Sequence, residues 1–206
     1  MAFLFIDVDG YCAGGVDQRR VVSPGADGYR ARELGWAYYT TDGHASGGVY
    51  FRDENVPPLA SGRKGYDPCV SYTHRLHGLP VDPGAHDFAG EVVMCASRLL
   101  EAIRAVHDAV AHVTGSEVVF VHKGGHEGLW AGQAVPGAAA IDLGAHGCPR
   151  VDDIGRANPG LHVGLQCEFH APVKRRARKV VHCPRLEVSL LAAWVAGAAD
   201  EKGAGA

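Results

Sequence analysis

The sequence predicts an α/β domain built on a mixed central sheet, and three observations predict it. Strand-like stretches come first, at "FLFIDVDGY", "RELGWAYYTT" and "GGVYFRDE". A single long run of helical period follows, and after it apolar strand-like stretches alternate with helix-like ones. Strands in direct succession pair as an antiparallel meander, whereas strands separated by helices pair in parallel, so this order calls for a sheet of both kinds. With 206 residues, 47% hydrophobic and 21% charged, the chain supplies one core of ordinary size, and a single domain over residues 1–206 is expected.

Each element has its own warrant. "FLFIDVDGY" is a buried strand that ends in a glycine turn, and Asp42-Gly43 separates the second and third strands. Residues 54–84, rich in Pro and Gly and without period, read as a long ordered loop. From Asp87 to His112 the apolar residues Phe88, Val92, Cys95, Leu99, Leu100, Ile103, Val106 and Val110 recur with helical period, which predicts one long helix with Cys95 on its buried face. "EVVFVHKGG" and "AAAIDLGAHGCP" are the next strands, "EGLW" and "VDDIG" short helices, and a last helix starts after Pro184, where proline suits the first turn. In that helix Glu187, Leu190, Leu191 and Trp194 share one stripe, which puts a carboxylate at the head of an apolar face.

Net charge is −3, so no global field draws the chain to nucleic acid or membrane. Polyanion contacts must come from a local patch, and "KRRARK" supplies one in Lys174, Arg175, Arg176, Arg178 and Lys179. "MAFLFI" meets Asp7 and Asp9 too soon for a signal peptide, and no 18-residue apolar run exists. An intracellular protein, cytoplasmic or nuclear, with no membrane partner is expected. In a reducing compartment its six cysteines favour metal ligands and thiols over disulfides.

Carboxylates stand where a core should be. Asp7 and Asp9 are two apart on a strand and therefore share a face, where they repel unless a divalent cation lies between them or both are wet at a strand end. Glu127 lies just past the end of an apolar strand, the place where α/β sheets put their ligands. His122, His126 and Glu127 also raise a zinc-hydrolase reading, but that needs both imidazoles on one helix, and the Val-rich stretch and Gly124-Gly125 argue against one. His182 precedes Glu187 by five residues, at the mouth of the last helix.

In order, "DVD", "HKGGHE" and "HCPRLE" resemble the three motifs of the DEDDh-type 3′–5′ exonucleases of the RNase H-like superfamily, whose motifs read Asp-x-Glu, HNxxFD and His-x4-Asp. The resemblance spans residues 3 to about 197. It implies an RNase H-like fold and a nuclease holding two Mg²⁺ or Mn²⁺ ions about 4 Å apart on Asp7, Asp9, Glu127 and Glu187, with His182 as general base and DNA or RNA as substrate. Each of three acids differs from the family's by one methylene: Asp9 for Glu, and Glu127 and Glu187 for Asp. Metal–oxygen distances of about 2.0–2.6 Å leave little slack, so the swaps motivate an alternative: a catalytically inactive module for nucleic-acid binding or protein interaction.

Cys183 projects about 100° from His182 at a helix start and is expected to face away from the acids. With Cys148, Cys167 and His170 it completes a tetrahedral zinc set that would tie the segment 146–183 to the last helix, with His146 and His162 as substitute ligands. The alternative is three buried thiols and a surface histidine. "GCP" and the "CxxH…HC" ending also resemble exonuclease-like proteins of viruses and mobile elements, which favours the zinc reading.

Overall fold

The computed structural model describes residues 1–12, 29–52, 92–157 and 183–203. Six strands and four α-helices lie among them. β1 (Ala2–Cys12), β2 (Tyr29–Tyr39) and β3 (His44–Arg52) come first, then β4 (Val92–Cys95) and α1 (Leu99–Thr114). β5 (Val118–His122), α2 (Gly125–Ala134), β6 (Ala140–Asp142), α3 (Val151–Ala157) and α4 (Pro184–Gly203) complete the order. All six strands form one sheet in the order β4-β3-β2-β1-β5-β6. β1 pairs antiparallel with β2, and β2 with β3; the pairs β1–β5, β5–β6 and β3–β4 are parallel. The fold is α/β with a mixed sheet in an RNase H-like arrangement: an antiparallel meander on one side of β1 and parallel strands on the other.

Strand alternation divides the core into two layers. Leu4, Ile6 and Val8 of β1 face α1 and α2, packing with Leu34, Phe51, Leu99, Ile103, Phe120 and Trp130. Phe5 faces the other way, towards α3 and α4, with Ala37, Tyr50, Val121, Ile154, Leu186 and Leu190. α4 is buried more widely than a single stripe: besides Leu190 and Leu191, the side chains of Leu186, Val188, Ser189 and Ala192 are all inside. It lies across β1, β2 and β3 and is covered in turn by α3, so more than one of its faces meets protein.

The long helix expected over 87–112 is corrected. Val92–Cys95 is a strand, Ala96–Arg98 a 3-10 turn, and the helix proper runs from Leu99 to Thr114. Cys95 is therefore the last residue of β4, opposite Arg52, and not on a helix. The apolar spacing alone fits both readings. Pairing decides it: β-branched Val92 and Val93 add to the edge of β3 opposite Val49 and Tyr50, a non-local gain that outweighs local helical period. The β2–β3 turn at Asp42-Gly43 forms where the sequence put it, held by the Thr40 hydroxyl, which accepts from the Asp42 and Gly43 amides at 3.2 Å each. Residues 54–84, the expected long loop, lie outside the described residues. Among the described residues no helix is long and apolar enough to cross a membrane.

Candidate active site

Asp7 and Asp9 follow Phe5 on the same face of β1, so the row of inward side chains on the α3/α4 side changes there from apolar to acidic. The residue of β2 opposite Asp7 is Gly35. A methyl group on Gly35 would overlap the Pro184 carbonyl and come within 2.5 Å of the Arg185 amide nitrogen. The missing side chain thus lets the first turn of α4 sit directly on the sheet. That turn carries Glu187, whose amide closes the first helical hydrogen bond to the Cys183 carbonyl at 2.8 Å.

Glu127 arrives from the other side. β5 runs parallel to β1 and ends at His122, and Glu127 sits in the first turn of α2. Both glutamates therefore stand at helix N-termini, where the backbone dipole favours negative charge. The tight passage from β5 to α2 depends on Gly128: a methyl there would come within 2.5 Å of His122 Nε2.

Burial pushes the Asp7 carboxyl well above its ordinary range, and the charges of Glu187, Asp9, Glu127 and Glu33 push it further. Asp7 Oδ2 is shut off from solvent and has no hydrogen-bond partner among the described residues. Burial also pushes Glu127 up, to about 7, opposed by a hydrogen bond from its own backbone amide and reinforced by Asp9, Glu187 and Asp142. Asp7, Asp9, Glu127 and Glu187 thus feel one another across the end of β1. They do not share a formed centre: among the described residues no three His, Cys, Asp or Glu side chains are grouped closely enough to hold a metal ion. In chemistry the donors suit Mg²⁺ or Mn²⁺, being all-oxygen and anionic with one buried oxygen unsatisfied.

Glu33 was not singled out from sequence. It lies directly opposite Asp9, is 0% exposed, and adds its charge to the group around Asp7. The available signal was a glutamate inside an otherwise strand-like stretch, "RELGW", but its partner strand and register are not local information.

The histidines separate. His122 ends β5, buried beneath α2, with no hydrogen-bond partner for Nδ1 among the described residues. His126 is in α2, its ring stacked on Trp130 at 5.5 Å. The two imidazoles are not on one helix face, as the zinc-hydrolase reading requires. Cys148 and Cys183 are both buried in the α3/α4-side core, and both are thiols rather than disulfide halves. His182, Cys167, His170 and the basic residues Lys174, Arg175, Arg176, Arg178 and Lys179 lie outside the described residues. No protein-family model matches the sequence. No curated protein matches it either.

Proposed function

We propose that the protein is a metal-dependent 3′–5′ exonuclease of the DEDDh type that shortens DNA or RNA from its 3′ end. One observation carries the reading: four carboxylates from three parts of the chain, Asp7, Asp9, Glu127 and Glu187, are held in electrostatic reach at one end of a mixed sheet. A fold gains no stability from gathering like charges in a partly buried place, so their function is to attract positive charge. Mg²⁺ or Mn²⁺ held there would supply charge neutralisation at the scissile phosphate and lower the pKa of the attacking water.

The chain's own residues do the rest. Asp7 and Asp9 fix the position of the charge because they stand on a central strand rather than a loop. Glu127 and Glu187 close on it from two helix starts. His182, the residue before Cys183, takes the proton of the attacking water on a ring nitrogen, since a neutral imidazole suits that task near pH 7. Lys174, Arg175, Arg176, Arg178 and Lys179 hold backbone phosphates without reading bases. A structural zinc on Cys148, Cys167, His170 and Cys183 belongs to the same proposal. It is supported by two of the four thiol and imidazole ligands lying in one core cluster. A chain acting on nucleic acid in this way works inside the cell, in cytoplasm or nucleus.

The test is direct. With Mn²⁺ or Mg²⁺ the protein should shorten a 5′-labelled oligonucleotide stepwise from its 3′ end, and a chelator should stop it. Mn²⁺ should support cleavage better, because the altered acid lengths strain a strict octahedron and Mg²⁺ tolerates that least. A second reading, an inactive nucleic-acid-binding or protein-interaction module, is favoured by the lack of a formed three-ligand group among the described residues. Calorimetric titration with Mn²⁺ separates the two: a module of that kind binds no divalent ion at the acids.

A further inference from the structure

We propose that Glu33 is a positioning residue of the carboxylate site, holding Asp9 in place and setting the site's affinity for a divalent cation. The inference rests on the cation-site reading given above and adds a residue to it. Three observations carry it. Glu33 and Asp9 are directly opposed across the β1–β2 pair. In such pairs the Cβ atoms lie about 4.5–5.5 Å apart, and like charges there are destabilising. Glu33 is also 0% exposed, so it cannot turn its charge to water without moving the strand. The third is a bulge at this point. Asp9 faces Glu33 but Gly10 faces Ala31, which leaves Arg32 as the extra residue in β2. An insertion of this kind shifts the pleat and re-aims the side chains beside it.

The pairs from Phe3–Tyr39 to Asp9–Glu33 keep one register, so Glu33 stands at the end of the row that begins with Phe5 and passes through Asp7, and the bulge follows immediately beyond it. The buried Asp7 oxygen, with no hydrogen-bond partner among the described residues, belongs to the same acidic row. Glu33 sits beside Asp9 on the neighbouring strand, whereas Glu127 and Glu187 stand on helix starts. It acts through Asp9 and through the local potential, and it does not touch the substrate.

The experiment separates affinity from turnover. Mn²⁺ binding to the full chain is measured by calorimetry for wild type, Glu33→Gln and a distant surface control, Glu101→Gln, and cleavage is then measured at saturating Mn²⁺. Glu33→Gln is expected to weaken the Mn²⁺ Kd about tenfold, equivalent to one charge interaction of moderate strength, while kcat at saturating Mn²⁺ stays within about twofold. Glu101→Gln should bind as wild type does. A role in strand packing alone would lower the melting temperature and leave the Kd unchanged, and that result overturns the proposal. If Glu33→Gln does not fold, the titration is read on Glu33→Asp, whose shorter carboxylate should cost about three- to fivefold in Kd, and wild-type affinity there overturns it equally. Failure of wild type itself to bind Mn²⁺ overturns the cation-site reading and this inference with it. Normal wild-type binding with unchanged variants overturns the inference alone.

Discussion

On the face of the sheet covered by α1 and α2, the inward residues of β1 are Leu4, Ile6 and Val8, apolar along their whole length. On the face covered by α3 and α4, the same strand presents Phe5, then Asp7 and Asp9. The two faces share one backbone and one register, so the contrast is chemical. The first face is packed for stability: Leu99, Ile103 and Phe120 are 0% exposed, and no charge interrupts them. The second keeps the same packing for half its length and then gives it up to a group of carboxylates. A molecule selected only for stability would have continued the apolar row. The difference teaches that the apolar row is given up at the end of β1 nearest α2 and the start of α4, which is where the proposed function would lie.

That comparison can be broken by removing one charge on the acidic face. Glu187→Gln keeps the size and hydrogen bonding of the side chain and removes a charge that Asp7 feels. It should reduce Mn²⁺-dependent cleavage by at least about a hundredfold while the circular dichroism spectrum and melting temperature hold. His182→Ala should lose turnover and keep Mn²⁺ binding, which separates base from ligands. If Glu187→Gln cleaves as wild type does, the acidic face is not a catalytic one.

The apolar face answers to the opposite substitution. Ile103→Ala empties a fully buried position in the α1/α2-side core. It should cost about 2–5 kcal/mol of unfolding free energy, read by urea titration, because lost transfer energy and an unfilled cavity add. Cleavage per folded molecule should be unchanged. Asp7→Asn supplies the contrast on the other face of the same strand: it removes a carboxyl whose charged form burial and acidic neighbours disfavour, so the metal-free protein should become less sensitive to rising pH while losing activity.

How far could this contrast be read from the chain alone? The period of two in "FLFIDVD" is enough to put Asp7 and Asp9 on one face and Ile6 and Val8 on the other. The fold class followed from the order of elements, and the last helix from Pro184 and the spacing of Leu190, Leu191 and Trp194. What failed was non-local. Val92 and Val93 join β3 as an edge strand, and only the position of β3 in space makes that better than extending α1 towards its N-terminus. Glu33 was invisible for the same reason, since cross-strand register leaves no periodic trace. Gly35 is a third case: its value comes from Pro184, about 150 residues away, against which a side chain would collide.

Gly35 offers a way to move the two faces relative to one another. Gly35→Ala adds a methyl where Pro184 and Arg185 already stand. The start of α4 must then lift from β2, at a cost of about 1–3 kcal/mol typical of overpacking. Glu187 moves with that turn, so Mn²⁺ affinity should fall although no carboxylate is altered. If stability drops and Mn²⁺ affinity does not, α4 contributes packing only, and the four-acid reading loses Glu187.

The last effect is expected from pH, and it sharpens the comparison without changing the covalent structure. Glu127 is pushed up to about 7 by burial and by its acidic neighbours, and Asp7 is raised in the same sense. A carboxyl whose pKa is higher folded than unfolded holds its proton more tightly in the native state. The stabilisation is fully present below the ordinary carboxylate range, around pH 4.5, and is lost as pH climbs through about 7. Metal-free protein in chelator-treated buffer should therefore become less stable between pH 5 and pH 8, by on the order of 2 kcal/mol once solvent screening of a partly exposed group is allowed for. Glu127→Gln should flatten part of that slope, the rest belonging to Asp7, whereas Ile103→Ala should lower the whole curve and leave its slope intact. Melting temperatures of the three proteins across that range decide the matter. Parallel curves for wild type and Glu127→Gln would mean that Glu127 titrates as an ordinary surface carboxyl, and the acidic face would lose the member that α2 contributes.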